Sequence, residues 1–274
     1  MEEVLIANSK EFENKIEEIK KDGAKSIQVV SDFDKTLTKA FIDGKKIMSS
    51  YAILRENKYL GEEYSAKAFA LFDEYHPYEL STELTFEEKK QKMDEWWSKH
   101  LELMIKSGIN KEIFKEIADK DHVKVREGLN KFIEILNKNN IPFLIFSAGL
   151  GDVIKEVLRV KGFLKQNVNI IANFFKFNGQ GNVIGYDQDI VHVFNKNTIE
   201  HDEDIPERKN VILLGDNIDD LGMVEGISYD TIIKIGFLNE KIEERKKEYL
   251  KHFDIIIVND GSFNKINEIF EKII

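Results

Sequence analysis

The sequence predicts an α/β protein, a central parallel sheet flanked by helices, with an all-helical segment inserted early in the chain. Three observations carry this. First, short β-favouring runs recur at Ile27-Gln28-Val29-Val30, Pro142-Phe143-Leu144-Ile145-Phe146, Val211-Ile212-Leu213-Leu214 and Ile255-Ile256-Ile257-Val258. Near-continuous apolar runs of this length are what parallel strands buried on both faces look like. Second, helical patterns separate them, at 127–139, 152–161, 239–250 and 262–272. Third, each run stops at polar or glycine residues: Ser31-Asp32-Phe33-Asp34, Ser147-Ala148-Gly149, Gly215-Asp216-Asn217 and Asn259-Asp260-Gly261. Open α/β sheets bind ligands beyond the carboxyl ends of their strands, so these four endings converge on one edge.

The elements follow in order. Phe12, Ile16 and Ile19 at helical spacing among Lys and Glu predict an amphipathic helix over 9–22. After the first strand, Phe41-Ile42-Asp43-Gly44-Lys45-Lys46-Ile47 reads as a tight hairpin, because Asp-Gly supplies the turn. Residues 49–121 then lack β-branched runs and carry helical patterns instead. The longest spans Thr85 to Ser107, with Thr85 and Glu88 as a capping box and Gly108 as the stop. The expected organisation is an α/β core from 1–48 and 122–274, with 49–121 as a helical cap over the strand ends. Asn178-Gly179-Gln180-Gly181 predicts a smaller hairpin within 173–187.

Composition excludes several classes of function. The chain has 274 residues, 42% of them hydrophobic, enough for a large core. Its 40 Lys and Arg against 50 Asp and Glu leave a net charge of −10. A general nucleic-acid binder needs the opposite sign to displace counterions, so no nucleic-acid partner is expected. No apolar stretch approaches the ~20 residues that span a bilayer, and MEEVLIANSK lacks the plan of a secretory signal. A cytoplasmic protein without a membrane partner is therefore expected. The absence of cysteine removes disulfides and thiolate metal sites.

Asp32 and Asp34 lie two residues apart directly after a strand, and Asp216 and Asp220 lie four apart after another. Clustered carboxylates repel, and they are stable together when a cation or proton sits among them. Oxygen ligation without Cys or His suits Mg²⁺. A single Asp-x-Asp is as readily a solvated turn; two acidic sites at strand ends of one sheet are not. Ser147 alone could cap the helix that follows it, and Lys196 alone could be an ordinary surface lysine.

Asp32-Phe33-Asp34-Lys35-Thr36-Leu37-Thr38 resembles the first motif of the haloacid dehalogenase superfamily, Ser147-Ala148-Gly149 the second, Lys196 the third and Gly215-Asp216-Asn217-Ile218-Asp219-Asp220 the fourth. Phe146–Val153, His192–Asn197 and Lys234–Asn239 bring the likeness closer, to the cytosolic 5′-nucleotidase III (pyrimidine 5′-nucleotidase) family, over nearly the whole chain from about Ile16. That resemblance implies a Rossmann-like core with a cap and a Mg²⁺-dependent hydrolase of nucleoside 5′-monophosphates. In it Asp32 would be the nucleophile forming an aspartyl phosphate, and Asp34 the acid and base. Mg²⁺ would be held by the Asp32 and Asp216 side chains and the Asp34 main-chain carbonyl. Ser147, the Ala148 and Gly149 amides and Lys196 would hold the phosphate, and Asp220 would orient the metal's ligands. Transfer of the phosphoryl group to a nucleoside is also known in the family. Lys35 departs from the small or apolar residue common at its position.

For the base, the family resemblance points to Glu79 and to the position of His100, where pyrimidine-preferring members carry serine. Trp96-Trp97-Ser98-Lys99-His100 looks like the branch that also accepts 7-methylguanosine monophosphate. Met93, Trp97, His100 and Met104 share one helical face, which would serve equally as core packing or as a lid over the base. Three other readings compete: a phosphatase of the same chemistry acting on phosphoserine or a sugar phosphate, a receiver-type signalling domain, and a catalytically silent nucleotide-binding protein. An amino-acid phosphate would want a basic residue where Glu79 stands, and a receiver domain has no need of Asp34 or a large insert.

Overall fold

The computed structural model describes residues 4–47, 49–81, 83–188, 190–192 and 208–274. A short strand β1 (Val4–Ile6) precedes helix α1 (Ser9–Asp22), whose Asn8 side chain caps the Glu11 N–H and whose Phe12, Ile16 and Ile19 are buried as the spacing predicts. The chain then enters β2 (Ile27–Ser31), the hairpin β3 (Phe41–Ile42) and β4 (Lys45–Lys46), and four helices: α2 (Ser50–Glu56), α3 (Gly61–Leu80), α4 (Phe86–Lys106) and α5 (Lys111–Asp119). The second half of the chain holds α6 (Leu129–Lys138), β5 (Phe143–Leu150), α7 (Gly151–Val160), β6 (Val168–Asn173), the hairpin β7 (Phe175–Phe177) and β8 (Val183–Tyr186), β9 (Asn210–Gly215), a 3-10 segment (Ile218–Val224), β10 (Thr231–Leu238), α8 (Ile242–His252), β11 (Ile255–Val258) and α9 (Asn264–Ile273).

Seven strands form one sheet in the order β1-β11-β10-β9-β2-β5-β6. All neighbours are parallel except β1, which runs antiparallel along β11. From β2 the chain steps to β5 and β6 on one side, then returns to β9, β10 and β11 on the other. The strand order therefore reverses between β2 and β9, and this reversal opens the crevice where such sheets bind ligands. The parallel strands β2, β9 and β11 are buried throughout, as their apolar runs require. One core cluster fills one face of the sheet, from Ile19 of α1 through Leu214 of β9 to Phe270 of α9, while Val30, Val211 and Leu213 belong to a second cluster and Tyr249 of α8 to a third.

The four strands foreseen in the sequence form, and β1, β6 and β10 join them. Among the described residues no helix is long and apolar enough to cross a membrane.

Candidate active site

Two neighbouring strands deliver the acidic groups. Asp32 follows β2, and its N–H donates to the Leu214 carbonyl at 3.0 Å, which extends the β2–β9 ladder one residue past the strand. The Ser31 hydroxyl donates to the Asp32 carbonyl at 2.7 Å. Asp216 follows β9 across the crevice. One carboxylate oxygen each of Asp32, Asp216 and Asp220 lie within 4.8 Å of one another, with Asp32 only 6% exposed. Oxygens so close repel unless positive charge joins them, and hard oxygen donors fit a hard divalent cation. The Asp220 carboxylate also accepts the Asp216 and Asn217 N–H groups at 3.0 and 2.9 Å, so it fixes the loop that presents Asp216. Only glycine fits before it: a Cβ on Gly215 would lie 2.6 Å from the Asp220 Cβ.

The second wall comes from an irregularity in β5. Phe146 pairs with Ile171 and Leu150 with Asn173, so β5 uses four residues where β6 uses two. The surplus pushes Ser147-Ala148-Gly149 out of the ladder as a bulge. Inside it the Gly149 N–H donates to the Ser147 hydroxyl oxygen at 3.1 Å. The amide expected to face phosphate is thus engaged within the loop, which leaves the Ser147 proton to point elsewhere. Ser50, at the start of α2, accepts the Leu150 N–H at 2.8 Å. A Cβ on Gly149 would lie 2.9 Å from the Ser50 oxygen and 3.5 Å from an Asp34 carboxylate oxygen, so Asp34 faces this loop. Lys196 lies outside the described residues.

Above these groups lies a cavity of about 320 Å³, with Asp32, Asp34, Ser147 and Asp216 at its floor and Tyr51, Glu79 and Trp97 among its remaining walls. Glu79 sits in the last turn of α3, not in a loop, because the helix runs on through Pro77 to Leu80. A carboxylate is disfavoured at a helix C-terminus, and His76 Nδ1, 2.9 Å from Glu79 Oε2, offsets this. The two tryptophans part company. Trp96 is buried with Met93 and Tyr75, so the buried stripe of α4 runs Met93, Trp96, His100, Met104, and Trp97 is displaced from it to the cavity edge. Trp97 packs against Tyr51 with ring centroids 4.4 Å apart.

His100 is not among the groups that line the cavity. It is 3% exposed and lies one layer back, 5.6 Å from the Tyr51 ring and 5.9 Å from Trp97, with Nε2 at 2.9 Å from the Tyr64 hydroxyl. Burial, helped by Arg55, lowers its pKa to about 4. The sequence places His100 beside the base; in the structure it stands one layer behind the aromatic wall, because its position on α4 turns it towards Tyr64 of α3.

A family model described as pyrimidine 5′-nucleotidase (UMPH-1) matches residues 35–274. The chain belongs to this family. The human 7-methylguanosine phosphate-specific 5′-nucleotidase is 36% identical over 262 residues, covering 93% of this chain and 87% of that one. A crystal structure of cytosolic 5′-nucleotidase IIIB bound to cytidine superposes with a TM-score of 0.87 at 32% identity, covering 98% of this chain and 93% of the other. A HAD family hydrolase from Salmonella enterica shares the fold, with a TM-score of 0.56 at 16% identity over 90% of this chain and 72% of that one. The protein is thus a 5′-nucleotidase homologue and a phosphoric monoester hydrolase with a HAD-type core. The family match begins at Lys35, so Asp32 and Asp34 stand on the geometry above.

Residues that give no sequence signal support those the motifs reveal. Lys35 occupies the left-handed region with φ of +60° in the turn after β2. That turn is braced by Arg126, whose Nε donates to the Thr36 carbonyl at 2.8 Å and whose Nη2 donates to the Lys35 carbonyl. Nη1 reaches the Gly261 carbonyl at 2.7 Å and pairs with Asp260 at 3.1 Å. One buried guanidinium thereby ties the ends of β2 and β11 together. The Tyr249 hydroxyl of α8 donates to the Asp216 carbonyl at 2.6 Å. A lone Arg or Tyr carries no periodicity or spacing, so nothing in the sequence marks these braces.

Proposed function

We propose that this chain hydrolyses nucleoside 5′-monophosphates to nucleoside and phosphate, with the helices of 49–121 acting as a cap that recognises the base. One observation carries the reading: paired acidic groups at the β2–β9 reversal lie under the same cavity as a carboxylate and two aromatic rings. Asp32 attacks phosphorus in line with the leaving 5′-oxygen, giving an aspartyl phosphate and breaking the P–O ester bond. Asp34, across from the Ser147 loop, gives its proton to the departing oxygen and then takes one from the water that attacks the phosphoaspartate. Ser147, the Ala148 amide of its bulge and Lys196 hold the non-reacting phosphate oxygens.

A divalent cation such as Mg²⁺ fits the donor set, with Asp32, Asp216 and the Asp34 main-chain carbonyl as holders and Asp220 committed to the loop amides. When bound it supplies positive charge that offsets repulsion between the Asp32 carboxylate and a dianionic phosphate. Glu79 accepts hydrogen bonds from the base, and Tyr51 and Trp97 offer it ring faces. An anionic group beside aromatic faces favours a flat base that is cationic or carries an amino group, which fits both 7-methylguanine and cytosine. These two agree with the cytidine and 7-methylguanosine phosphate in the names of its relatives. A cytosolic setting is part of the same proposal.

The test is phosphate release with Mg²⁺ from 7-methyl-GMP, CMP, AMP, GMP and phosphoserine, by the wild type and by Asp32→Asn. The expected result is turnover of 7-methyl-GMP and CMP above phosphoserine, and a loss of more than about a thousandfold in Asp32→Asn. Preference for phosphoserine, or substantial turnover by the variant, would defeat the reading.

A further inference from the structure

Residues 191 and 192 link the floor of the cavity to its roof, Val191 through its backbone and His192 through its ring. Asn173 ends β6 and is 2% exposed. Its Nδ2 donates to the Ala148 carbonyl at 2.9 Å and to the Val191 carbonyl at 2.8 Å, while its Oδ1 accepts the Val191 N–H at 2.7 Å. Both backbone polar groups of Val191 are therefore fixed by one amide. The same amide pins the Ala148–Gly149 peptide at its carbonyl, and Ser147 holds that peptide at its N–H. The bulge beside the nucleophile cannot turn without moving Val191.

His192 faces the cap. Its ring is buried, and Nε2 lies 3.1 Å from Oδ1 of Asp94 on α4. Burial lowers the imidazole's pKa, Asp94 opposes that shift, and Lys90, one turn earlier on α4, adds to the lowering. Asp94 precedes Trp97 by three positions, so this contact anchors α4 within a turn of the ring that lines the cavity. Asp94 itself is half exposed and the contact is its tie to the core segment. A surface carboxylate that reaches across to a buried imidazole, next to a backbone already locked by a buried amide, fixes one spacing: that between the Ser147 loop and Trp97.

We propose that Val191 and His192 form a junction that sets the distance between the phosphate-binding floor and the base-binding wall, with Asn173 the positioning residue on the core side and Asp94 the positioning residue on the cap side. The proposal rests on the nucleotidase reading and deepens it. A substrate that spans floor and wall depends on both contacts, whereas one without a base depends only on the floor. Misplacement of a reacting group by about 1 Å can cost about a hundredfold in rate, so small shifts of the bulge are measurable.

The experiment compares 7-methyl-GMP and CMP with p-nitrophenyl phosphate in the full chain with Mg²⁺. Asn173→Ser is expected to lower kcat about tenfold on all three esters. Asp94→Ala is expected to raise KM for the nucleotides about threefold, the size of a half-exposed charged contact, and to leave p-nitrophenyl phosphate unaffected. Asp94→Asn keeps an acceptor for Nε2–H and should restore most of the nucleotide KM. Equal effects of Asp94→Ala on nucleotide and p-nitrophenyl phosphate would overturn the proposal. So would a lowered melting temperature with unchanged kcat and KM in both variants, since these contacts would then serve stability alone. Should Asn173→Ser fail to fold, the surface Asp94 pair decides. A wild type that releases no phosphate from any nucleotide fails the nucleotidase reading itself; an active wild type with kinetically silent variants fails only the junction.

Discussion

His100 shows how one residue can shape a cavity without lining it. Its ring is sealed behind Tyr51 and Trp97, and burial beside Arg55 keeps it neutral, with a pKa of about 4 against an ordinary 6.5. A neutral imidazole leaves the aromatic wall without the positive charge that would repel a cationic base. The same shift has a cost at low pH. Between about 6.5 and 4 the unfolded chain binds a proton at this position that the folded chain does not, so stability rises with pH there. The contribution is fully present above the unfolded value and is lost as pH falls through the folded one, amounting to ~3 kcal/mol. Urea unfolding at pH 7 and pH 4 should show this loss on top of that from carboxylates, and His100→Gln should show a smaller drop. An identical drop in both would mean that His100 is not buried as a neutral ring. From the sequence His100 was visible as part of a helical face; its retreat behind Tyr51 was not, because a face is a direction and not a depth.

At the scale of elements, α4 was the most legible and still misled in detail. Its capping box forms, with Thr85 accepting the Glu88 N–H at 3.3 Å and Glu88 accepting the Thr85 N–H at 2.8 Å. Spacings of three and four residues both return to one side of a helix, so Met93 pairs equally well on paper with Trp96 or Trp97. The neighbours decide: Tyr75 of α3 takes Trp96, and Tyr51 of α2 meets Trp97. The end of α3 was likewise hidden. Pro77 stands within its last turn and removes one backbone donor, yet the helix continues far enough to carry Glu79 to the cavity. Glu79→Ala should lower kcat/KM for 7-methyl-GMP and CMP roughly 10- to 100-fold, the worth of hydrogen bonds to a charged acceptor, and leave p-nitrophenyl phosphate unchanged. Equal losses on both would make Glu79 a partner of His76 and nothing more.

At the scale of the molecule, the acidic cluster exists because two strands far apart in sequence lie side by side. Asp32 and Asp216 are separated by 184 positions, yet β2 and β9 are neighbours from Ile27 and Asn210 to Ser31 and Leu214. Chelation with excess EDTA should abolish phosphate release and lower the melting temperature that Mg²⁺ gives, and added Mg²⁺ should restore both; full activity in EDTA would remove the metal from the mechanism. The sequence by itself determined four of the sheet's five inner strands, the helical insert and the acidic strand ends, because apolar runs, caps and polar stops are written locally. It left out β10, where Lys234 and Gly236 interrupt the pattern. There the Lys234 N–H pairs with the Asp254 carboxylate at 2.8 Å, and a Cβ on Gly236 would lie 2.8 Å from the Phe253 ring. It left out β1 and β6 as well, since edge strands bury less and need no unbroken apolar run. Only the tertiary structure decided which tryptophan meets the cavity, that Arg126 braces the turn after the nucleophile, and that Asn173 and His192 join floor to cap. Those are contacts between residues remote in the chain, and no local pattern carries information about a partner it has not yet met.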